Sequence, residues 1–379
     1  MNGKLGFGAM RLPLRNADDP SSIDLPQLER MVDLFLGYGF RYFDTAYTYC
    51  GGHSEKALRQ TLVERCPRDR FILADKLPTM SIRSADEQSR IFDEQLRRCG
   101  VDYFDRYMVH CALPSFYERA GELGSFDFVR SKRDEGLARA IGFSFHGSAE
   151  LLDRILTEHP ETDFVQLQIN YVDWQRSPLR ARGCLETARR HGKPVTVMGA
   201  LKGGLLAAIP PMAERRVREV SGGCDPASWA LRFAASLEGV DYVLSGMTSI
   251  ADVERNCTAL QAFSEFTAGE YAAVDEIADA VCGATPVQCT SCGYCLGACP
   301  ERIAIPDCLH LYNSYSRMFG ARNYIDEYES ISNRGGRPSS CVGCRRCEQN
   351  CPQHLRIADW IRRVADAFEY HCLPAGVQL

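Results

Sequence analysis

The strongest constraint on the fold is a regular alternation of short apolar segments with longer amphipathic ones between Leu5 and Asn256. The apolar segments are rich in Val, Ile, Phe and Tyr, and segment 25–39 between two of them has apolar residues at helical spacing and a closing glycine. Eight such units over roughly 250 residues predict a parallel (β/α)8 barrel. An open doubly wound sheet is the alternative, but no G-x-G-x-x-G motif joins an early strand to a helix. The predicted strands are KLGFGAM, FRYFDTA, FILADKL, YFDRYMVH, ARAIGFSF, FVQLQIN, PVTVMGA and DYVLSG.

Polar residues stand at the predicted carboxyl ends of the second, third and fourth strands. Asp44 and Tyr49 follow the second strand, Lys76 ends the third and His110 ends the fourth. Chemistry in such barrels takes place at this end, so the four side chains are expected to converge. A neighbouring ammonium lowers the pKa of a phenol from about 10, a carboxylate orients the ammonium, and an imidazole can donate to a carbonyl oxygen. Together they predict protonation of an oxygen atom as hydride reaches carbon.

These residues lie in motifs that resemble the aldo/keto reductase superfamily. The motifs are GFGAMR, DTAYTYCGGHSE, ADKLP, YMVHCA and GFSFH, within about the first 260 residues. The resemblance implies that Tyr49 is the general acid, that Lys76 and Asp44 tune it, and that His110 orients the carbonyl group. It also implies that NAD(P)H is bound by Gly8, Ala9, Met10, Ser144, Gln166, Met198, Gly246, Met247, Ser249 and Asn256.

The sequence departs from the family pattern at several points. Phe145 replaces the asparagine that normally follows the serine, and Met198 stands where a tyrosine usually stacks under the nicotinamide. The turn SGMTSIADVERN can offer backbone N–H groups to phosphate but lacks the cation that grips a 2′-phosphate, so NADH and NADPH both remain open; Lys202 and Arg255 are nearby cations. The hairpin that closes the barrel floor in most members is also missing before KLGFGAM, so we expect either that another element covers the floor or that its apolar residues meet a partner.

Two cysteine runs with the spacing C-x2-C-x2-C-x3-C-P follow residue 285, where strand patterns end. This is the ligand pattern of bacterial ferredoxin [4Fe–4S] sites, in which the fourth cysteine binds the other cluster. Zinc fits less well, because its sites usually take two separated ligand pairs. The pattern predicts two clusters with crossed ligands: Cys289, Cys292, Cys295 and Cys351 for one, and Cys341, Cys344, Cys347 and Cys299 for the other.

The sequence therefore predicts a barrel over 1–265, a linker helix over 266–285 and a mainly α-helical, two-cluster ferredoxin-like domain over 286–379. The residues between the cysteine runs look helical, unlike the short hairpins of ferredoxin. This part resembles the helical two-cluster module that is fused to oxidoreductases, including the branch of aldo/keto reductases that carries it at the C-terminus.

The composition and charge of the chain limit the kinds of partner that it is expected to bind. The formal net charge of −5 is spread over mixed-sign segments without a basic run, which argues against nucleic acid. No stretch has the pattern of a signal peptide or a membrane span, so a cytoplasmic location is expected. Eight of the 18 cysteines fall in the two runs, which suits metal binding in a reducing compartment.

The two predicted domains transfer different numbers of electrons in one step. Hydride carries two electrons, whereas a [4Fe–4S] cluster takes one, so exchange between them requires a converter such as a flavin. The predicted function is reduction of a carbonyl, or oxidation of an alcohol, coupled through two clusters to a carrier of the ferredoxin type. Two alternatives stay open: a plain NAD(P)H-dependent reductase with structural or sensing clusters, and an electron-transfer subunit with a vestigial barrel.

Overall fold

Eight parallel strands close into a barrel in sequence order, from β1 to β8. The structure is a computed structural model that describes residues 3–16, 19–176, 179–318 and 324–370. It confirms the (β/α)8 prediction. The strands are β1 Leu5–Gly8, β2 Tyr42–Asp44, β3 Ile72–Leu77, β4 Phe104–Ala112, β5 Ala138–Phe145, β6 Phe164–Gln168, β7 Val195–Met198 and β8 Val240–Ser245.

Helices follow the strands, and further helices come after β8. The sequence-predicted helix in segment 25–39 is α1, which ends two residues before Gly39 takes a left-handed φ of 90°. The helices are α1 Leu25–Gly37, α2 Ser54–Leu58, α3 Asp86–Cys99, α4 Pro114–Glu122, α5 Ser125–Asp134, α6 Ala149–Glu158, α7 Ala181–Arg190, α8 Pro211–Ser221, α9 Pro226–Ser236, α10 Ile250–Gln261, α11 Ala268–Gly283, α12 Ile305–Met318, α13 Ile325–Asn333, α14 Arg346–Gln349 and α15 Ile357–Phe368.

Side chains at alternate strand positions fill the barrel in layers. One buried layer contains Tyr42, Ala74, Met108, Phe164 and Leu244, from five different strands. Because strand side chains repeat their direction every two residues, the positions two residues later also face the interior, one layer nearer the carboxyl ends. Those positions on β2, β3, β4 and β6 carry polar residues: Asp44, Lys76, His110 and Gln166.

An arginine fills the opposite end of the barrel interior. Arg106 lies two residues before Met108 on β4 and donates to Thr196 Oγ1 at 2.7 Å and to the carboxylate of Asp241. Its guanidinium also lies 4.4 Å from the ring centre of Phe164, within cation–π range. In the part of the chain that the structure describes, this side chain occupies the floor that was expected to need another cover.

The chain divides into two compact units. The first is Met1–Leu201 with Val217–Ala272, and the second is Lys202–Arg216 with Ala273–Leu379. The second unit contains both cysteine runs and has a core built from α12, α13 and α15, with Leu309, Tyr328 and Ile361 buried. The domain limits given by the sequence stay a prediction.

Asn313 on α12 ties down the chain that precedes the first cysteine run. Its side chain accepts from the Val287 N–H at 2.9 Å and donates to the Val287 carbonyl at 2.7 Å. Within the described segments, no helix combines the length and apolar character needed to cross a bilayer.

Candidate active site and candidate metal centre

Lys76 and Asp44 form a buried ion pair at the carboxyl end of the barrel. Lys76 Nζ donates to Asp44 Oδ1 at 2.5 Å and to the Thr45 carbonyl oxygen at 2.7 Å. Gln166 Nε2 donates to Asp44 Oδ2 at 2.9 Å, so both carboxylate oxygens have a donor. The side chains of Lys76 and Asp44 are only 1% and 4% exposed. A buried carboxylate with this set of partners holds the ammonium in one position.

Tyr49 lies next to this ammonium. Lys76 Nζ is 4.8 Å from the centre of the Tyr49 ring, and the His110 ring meets the same ring at 78° with the two centres 5.9 Å apart. The structure thus brings together the four residues that the sequence singled out. Their catalytic roles stay predictions.

Hydrogen bonds from Ser54 and Cys50 hold the loop that carries Tyr49 against the chain after β1. Ser54 Oγ donates to the Ala9 carbonyl at 2.9 Å and lies 2.9 Å from Thr45 Oγ1. Cys50 Sγ is 3.7 Å from the Met10 carbonyl oxygen, to which it donates. Ala9 and Met10, which were predicted to touch a dinucleotide, therefore also support the loop of the candidate acid.

The surroundings of His110 favour its neutral form. It is 2% exposed, and its carbonyl oxygen accepts from Thr79 Oγ1 at 3.1 Å. Burial, the Lys76 ammonium and His146 lower the pKa of His110 well below its usual value. A neutral imidazole keeps one N–H, which suits a hydrogen bond to a carbonyl oxygen better than proton release.

Several residues predicted to hold the dinucleotide line the same mouth. Gly8 pairs with Asp44 across β1 and β2, Ser144 pairs with Gln166 across β5 and β6, and Met198 is half-buried against the inner layer. Gln166 Oε1 is buried and has no hydrogen-bond partner among the described residues. Such an acceptor fits the amide of a nicotinamide. Sequence analysis did not foresee that the same side chain supports Asp44.

The remaining predicted contacts lie around the start of α10: Gly246, Met247, Ser249 and Asn256. Ser249 is the N-cap, and its Oγ accepts from the Asp252 N–H at 3.1 Å. Asp252 Oδ2 in turn accepts from the N–H groups of Ser249 and Thr248 at 3.1 and 3.2 Å. The Asp252 carboxylate therefore already accepts from backbone N–H groups that the sequence had suggested as donors to a phosphate group.

Asn256 keeps one unused acceptor at this helix. Its Nδ2 donates to Ser245 Oγ at 3.0 Å, while its buried Oδ1 has no hydrogen-bond partner in the described parts of the chain. An acceptor of this kind fits the amino group of an adenine.

Two buried acids behind Lys76 were missed by sequence analysis. Glu55 and Asp75 are both fully buried, and Asp75 immediately precedes Lys76 on β3. The available signal was Asp75, an acidic residue directly before Lys76 in the mainly apolar strand FILADKL.

Four cysteines of the first candidate metal centre are electrostatic neighbours. Burial is the main cause that raises the pKa of Cys295, followed by Cys292, Cys289 and Cys351. Burial likewise raises the pKa of Cys351 to about 11, with Cys292 and Cys289 contributing. Thiols whose pKa is raised by burial and by neighbouring thiols fit a bound cation, because coordination to a metal deprotonates them.

The other four cysteines line one cavity: Cys299, Cys341, Cys344 and Cys347. Burial, the Glu348 carboxylate, Cys299 and Cys341 raise the pKa of Cys347 to about 11. The membership of both groups is that of the crossed ferredoxin pattern. Binding of two clusters stays a prediction.

Sequence comparison identifies both parts of the chain. The pattern of the Aldo/keto reductase family matches residues 4–279, and that of the 4Fe-4S dicluster domain matches residues 288–357. The prediction of a barrel of this family followed by a domain of this type is confirmed.

Individual relatives are more distant. Protein REDOX 2 of Catharanthus roseus is 30% identical over 182 residues, which cover 41% of this chain and 53% of that protein. The chain thus spans about half the length of this curated relative. An aldo-keto reductase of Bacillus halodurans in its holo form superimposes with a TM-score of 0.57 at 23% identity, covering 72% of this chain and 91% of that one. An aldo/keto reductase of Klebsiella pneumoniae in complex with NADP and acetate gives 0.57 at 19%, covering 72% and 90%.

Proposed function

The chain belongs to the aldo/keto reductase family and is an oxidoreductase with a 4Fe-4S domain, and on that premise we propose that its barrel interconverts a carbonyl compound and an alcohol, with Tyr49 as general acid and base. One observation carries the proposal. The Lys76 ammonium is buried between Asp44 at 2.5 Å and the Tyr49 ring at 4.8 Å.

In this proposal, Tyr49, Lys76 and His110 each have a separate role in carbonyl reduction. A reduced nicotinamide held by Gln166 and Asn256 would supply hydride for the carbonyl carbon. The electron pair of the C=O π bond moves to oxygen, and the Tyr49 hydroxyl gives its proton to that oxygen. The Lys76 ammonium stabilises the phenolate that remains, and the neutral His110 donates a hydrogen bond that orients the oxygen. Return of a proton from solvent to Tyr49 completes the cycle, and alcohol oxidation reverses each step.

NAD(P)H is the proposed dinucleotide. The unused acceptors on Gln166 and Asn256 support it, as does the NADP in the Klebsiella pneumoniae relative. Asp252 argues against a 2′-phosphate at the start of α10, because its carboxylate holds the backbone donors there. NADH is therefore the dinucleotide that we expect the wild-type chain to prefer.

We infer two [4Fe–4S] clusters on the crossed cysteine sets, each of which would pass one electron at a time. A flavin is the converter that would join one-electron transfer to hydride chemistry. The absence of the usual nicotinamide contacts at Phe145 and Met198 supports a bound group other than a standard nicotinamide. A soluble carrier of the ferredoxin type is the proposed electron partner. The proposed location is the cytoplasm.

Tyr49→Phe tests the barrel chemistry. We expect loss of carbonyl turnover by at least about 100-fold with unchanged iron content, because only the acidic hydroxyl is removed. Tyr47→Phe is the matched control: Tyr47 lies two residues away and donates to Glu94 at 3.0 Å, so turnover should stay near wild type. Full activity in Tyr49→Phe would remove Tyr49 from the mechanism.

A second candidate function is a plain NAD(P)H-dependent reductase whose clusters are structural or sense oxidants. It draws support from the hydride chemistry that the four active-site residues can perform without any cluster. Anaerobic addition of NAD(P)H, followed by the substrate, separates the two candidates. Reduction of the clusters and reoxidation by the substrate favour coupling, whereas clusters that stay oxidised throughout favour the plain reductase.

A further inference from the structure

The backbone of Lys76 is held by side chains where a strand partner is absent. β2 ends at Asp44, which pairs with Ala74 of β3. Lys76 is two residues beyond Ala74, so its N–H and C=O point to the side where β2 has already ended. Asp75 Oδ1 accepts from the Lys76 N–H at 2.8 Å, and Gln95 Nε2 donates to the Lys76 carbonyl at 3.0 Å. The candidate catalytic lysine thus depends on Asp75 and Gln95 for its position.

Asp75 has two buried polar neighbours, Glu55 and Cys99. Its carboxyl group lies close to that of Glu55, which is on α2, just after the loop of Tyr49. Ligand atoms of Glu55, Asp75 and Cys99 all lie within 4.8 Å of one another, and all three residues are fully buried. Arg98 Nη1 donates to Glu55 Oε2 at 3.0 Å, while the buried Glu55 Oε1 has no hydrogen-bond partner among the described residues.

Two adjacent buried carboxylates cannot both be charged at low cost. Burial, and next the Glu55 carboxylate, raise the pKa of Asp75 well above its usual value. Burial also raises the pKa of Glu55, although Arg98 opposes the shift. The charged or titratable groups that face the pair are Lys76 from β3, Tyr107 from β4, and Arg98 and Cys99 from α3, with Glu94 on the far side of Arg98.

We propose that Glu55 and Asp75 share a single proton, carried mainly by Asp75, and that the protonated pair positions the backbone of Lys76 so that its ammonium meets Tyr49. Asp75 then donates its O–H to Glu55 and accepts from Lys76, while Glu55 keeps its charge for Arg98. Every polar atom of the pair gains a partner in this arrangement. The positioning role rests on the proposed function of Lys76 and Tyr49, whereas the shared proton does not.

A metal ion at these three residues is the competing explanation, and the charges oppose it. The Arg98 guanidinium already contacts one carboxylate, and burial together with Asp75 raises the pKa of the Cys99 thiol well above its usual value, so that it stays protonated. A proton satisfies the pair without displacing Arg98.

Asp75→Asn separates the proton from the hydrogen bonds. Asparagine keeps the oxygen that accepts from Lys76 and replaces the O–H donor by an N–H donor, so it copies the protonated aspartic acid. The infrared carbonyl band of a buried protonated carboxyl group should be present in the wild-type protein and absent in Asp75→Asn. A missing band in the wild type, or an equal band in both proteins, would overturn the shared proton. So would one equivalent of metal that the wild type retains and the variant loses.

The pH dependence of stability gives the second readout. Because the folded-state pKa is raised, the folded protein binds more protons than the unfolded chain above the ordinary aspartate pKa of about 3.9. Stability must therefore fall as pH rises through the raised value. In this range the unfolding equilibrium constant of the wild type should increase by up to about tenfold more per pH unit than that of Asp75→Asn. Parallel curves would contradict the proposal.

Glu270→Gln is the matched control for a buried acid without a shared proton. Glu270 is paired with Arg232 at 2.9 and 3.3 Å. Removal of its charge should lower stability near neutral pH, whereas Asp75→Asn should raise it or leave it unchanged. Equal losses in both variants would show that Asp75 is an ordinary paired carboxylate.

Activity tests the positioning role. Asp75→Ala removes the acceptor for the Lys76 N–H and should lower kcat by about 10- to 100-fold with little change in KM, and Asp75→Asn should recover most of that loss. If Asp75→Ala is fully active while Tyr49→Phe is inactive, the positioning role fails and the proposed function stands. If the wild type has no carbonyl turnover, the proposed function fails, and the infrared band still decides the shared proton.

Discussion

Lys76→Met removes the charge at the centre of the candidate active site and keeps most of the side-chain volume. The substitution deletes two hydrogen bonds, to Asp44 Oδ1 at 2.5 Å and to the Thr45 carbonyl at 2.7 Å. Asp44 is then a buried carboxylate whose remaining donor is the neutral amide of Gln166 at 2.9 Å. We expect a large loss of both stability and turnover.

The magnitude follows from the geometry of the pair. At 2.5 Å the gross attraction is about 6–7 kcal/mol with an effective dielectric constant of about 20. Part of this offsets the cost of burying Lys76, so the expected loss in the free energy of unfolding is about 3–5 kcal/mol. For a barrel of this size that corresponds to a fall in Tm of about 6–20 °C. The kcat for carbonyl reduction should fall by at least about 100-fold.

A double-mutant cycle measured by thermal unfolding checks this reasoning. Asp44→Asn and Lys76→Met should each destabilise, and the double variant should be more stable than the sum of the two losses predicts by at least about 1.5 kcal/mol. Lys56→Met, at an exposed position on α2, should change stability by less than about 0.5 kcal/mol. Losses that add within that margin, or a Lys76→Met protein as stable as the Lys56→Met control, would refute the buried ion pair.

Three further substitutions have distinct expected outcomes. Asp252→Asn removes a negative charge at the start of α10 and should shift binding from NADH toward NADPH by about tenfold, measured by titration calorimetry. Cys351→Ser should lose about half of the bound iron in a colorimetric assay, from the cluster proposed on the first cysteine run, while Cys308→Ser, at a buried position outside both runs, should keep all of it. Arg106→Met removes the cationic partner of Asp241 and should lower the free energy of unfolding by about 2–3 kcal/mol without affecting turnover; unchanged thermal unfolding would show that this residue does not close the floor.

The barrel could be predicted because its signal is local. Alternation with a period of two marks the strands, and the same alternation places Asp44, Lys76, His110 and Gln166 one layer above the apolar interior. The alternation does not predict which side chains contact one another across the barrel. Gln166 reaches Asp44 from a strand 122 residues away in sequence, and this contact depends on the stagger of the strands, which includes shifts near Val109 and Val195.

The buried acids were missed for a related reason. Glu55 on a short helix gives no signal in the sequence, and Asp75, although unusual within a strand, does not reveal its partner. They become a pair because β2 ends before it reaches Lys76, so that on this side Asp75 and Gln95 take the place of a strand partner for the Lys76 backbone. The lengths of neighbouring strands decide this, and strand ends are poorly defined by sequence patterns.

The segment after β7 takes its conformation from contacts inside the second unit. Residues 202–216 belong to the second unit although they follow a barrel strand. Lys202 is buried and left-handed (φ 47°), and its Nζ donates to Gln353 Oε1 at 3.4 Å. At Gly203 (φ 70°), a side-chain carbon would lie 2.5 Å from the Thr290 carbonyl oxygen. Since Thr290 lies within the first cysteine run and Gln353 follows the second, the conformation of this loop depends on the iron–sulphur domain, and no pattern of strands and helices could have revealed it.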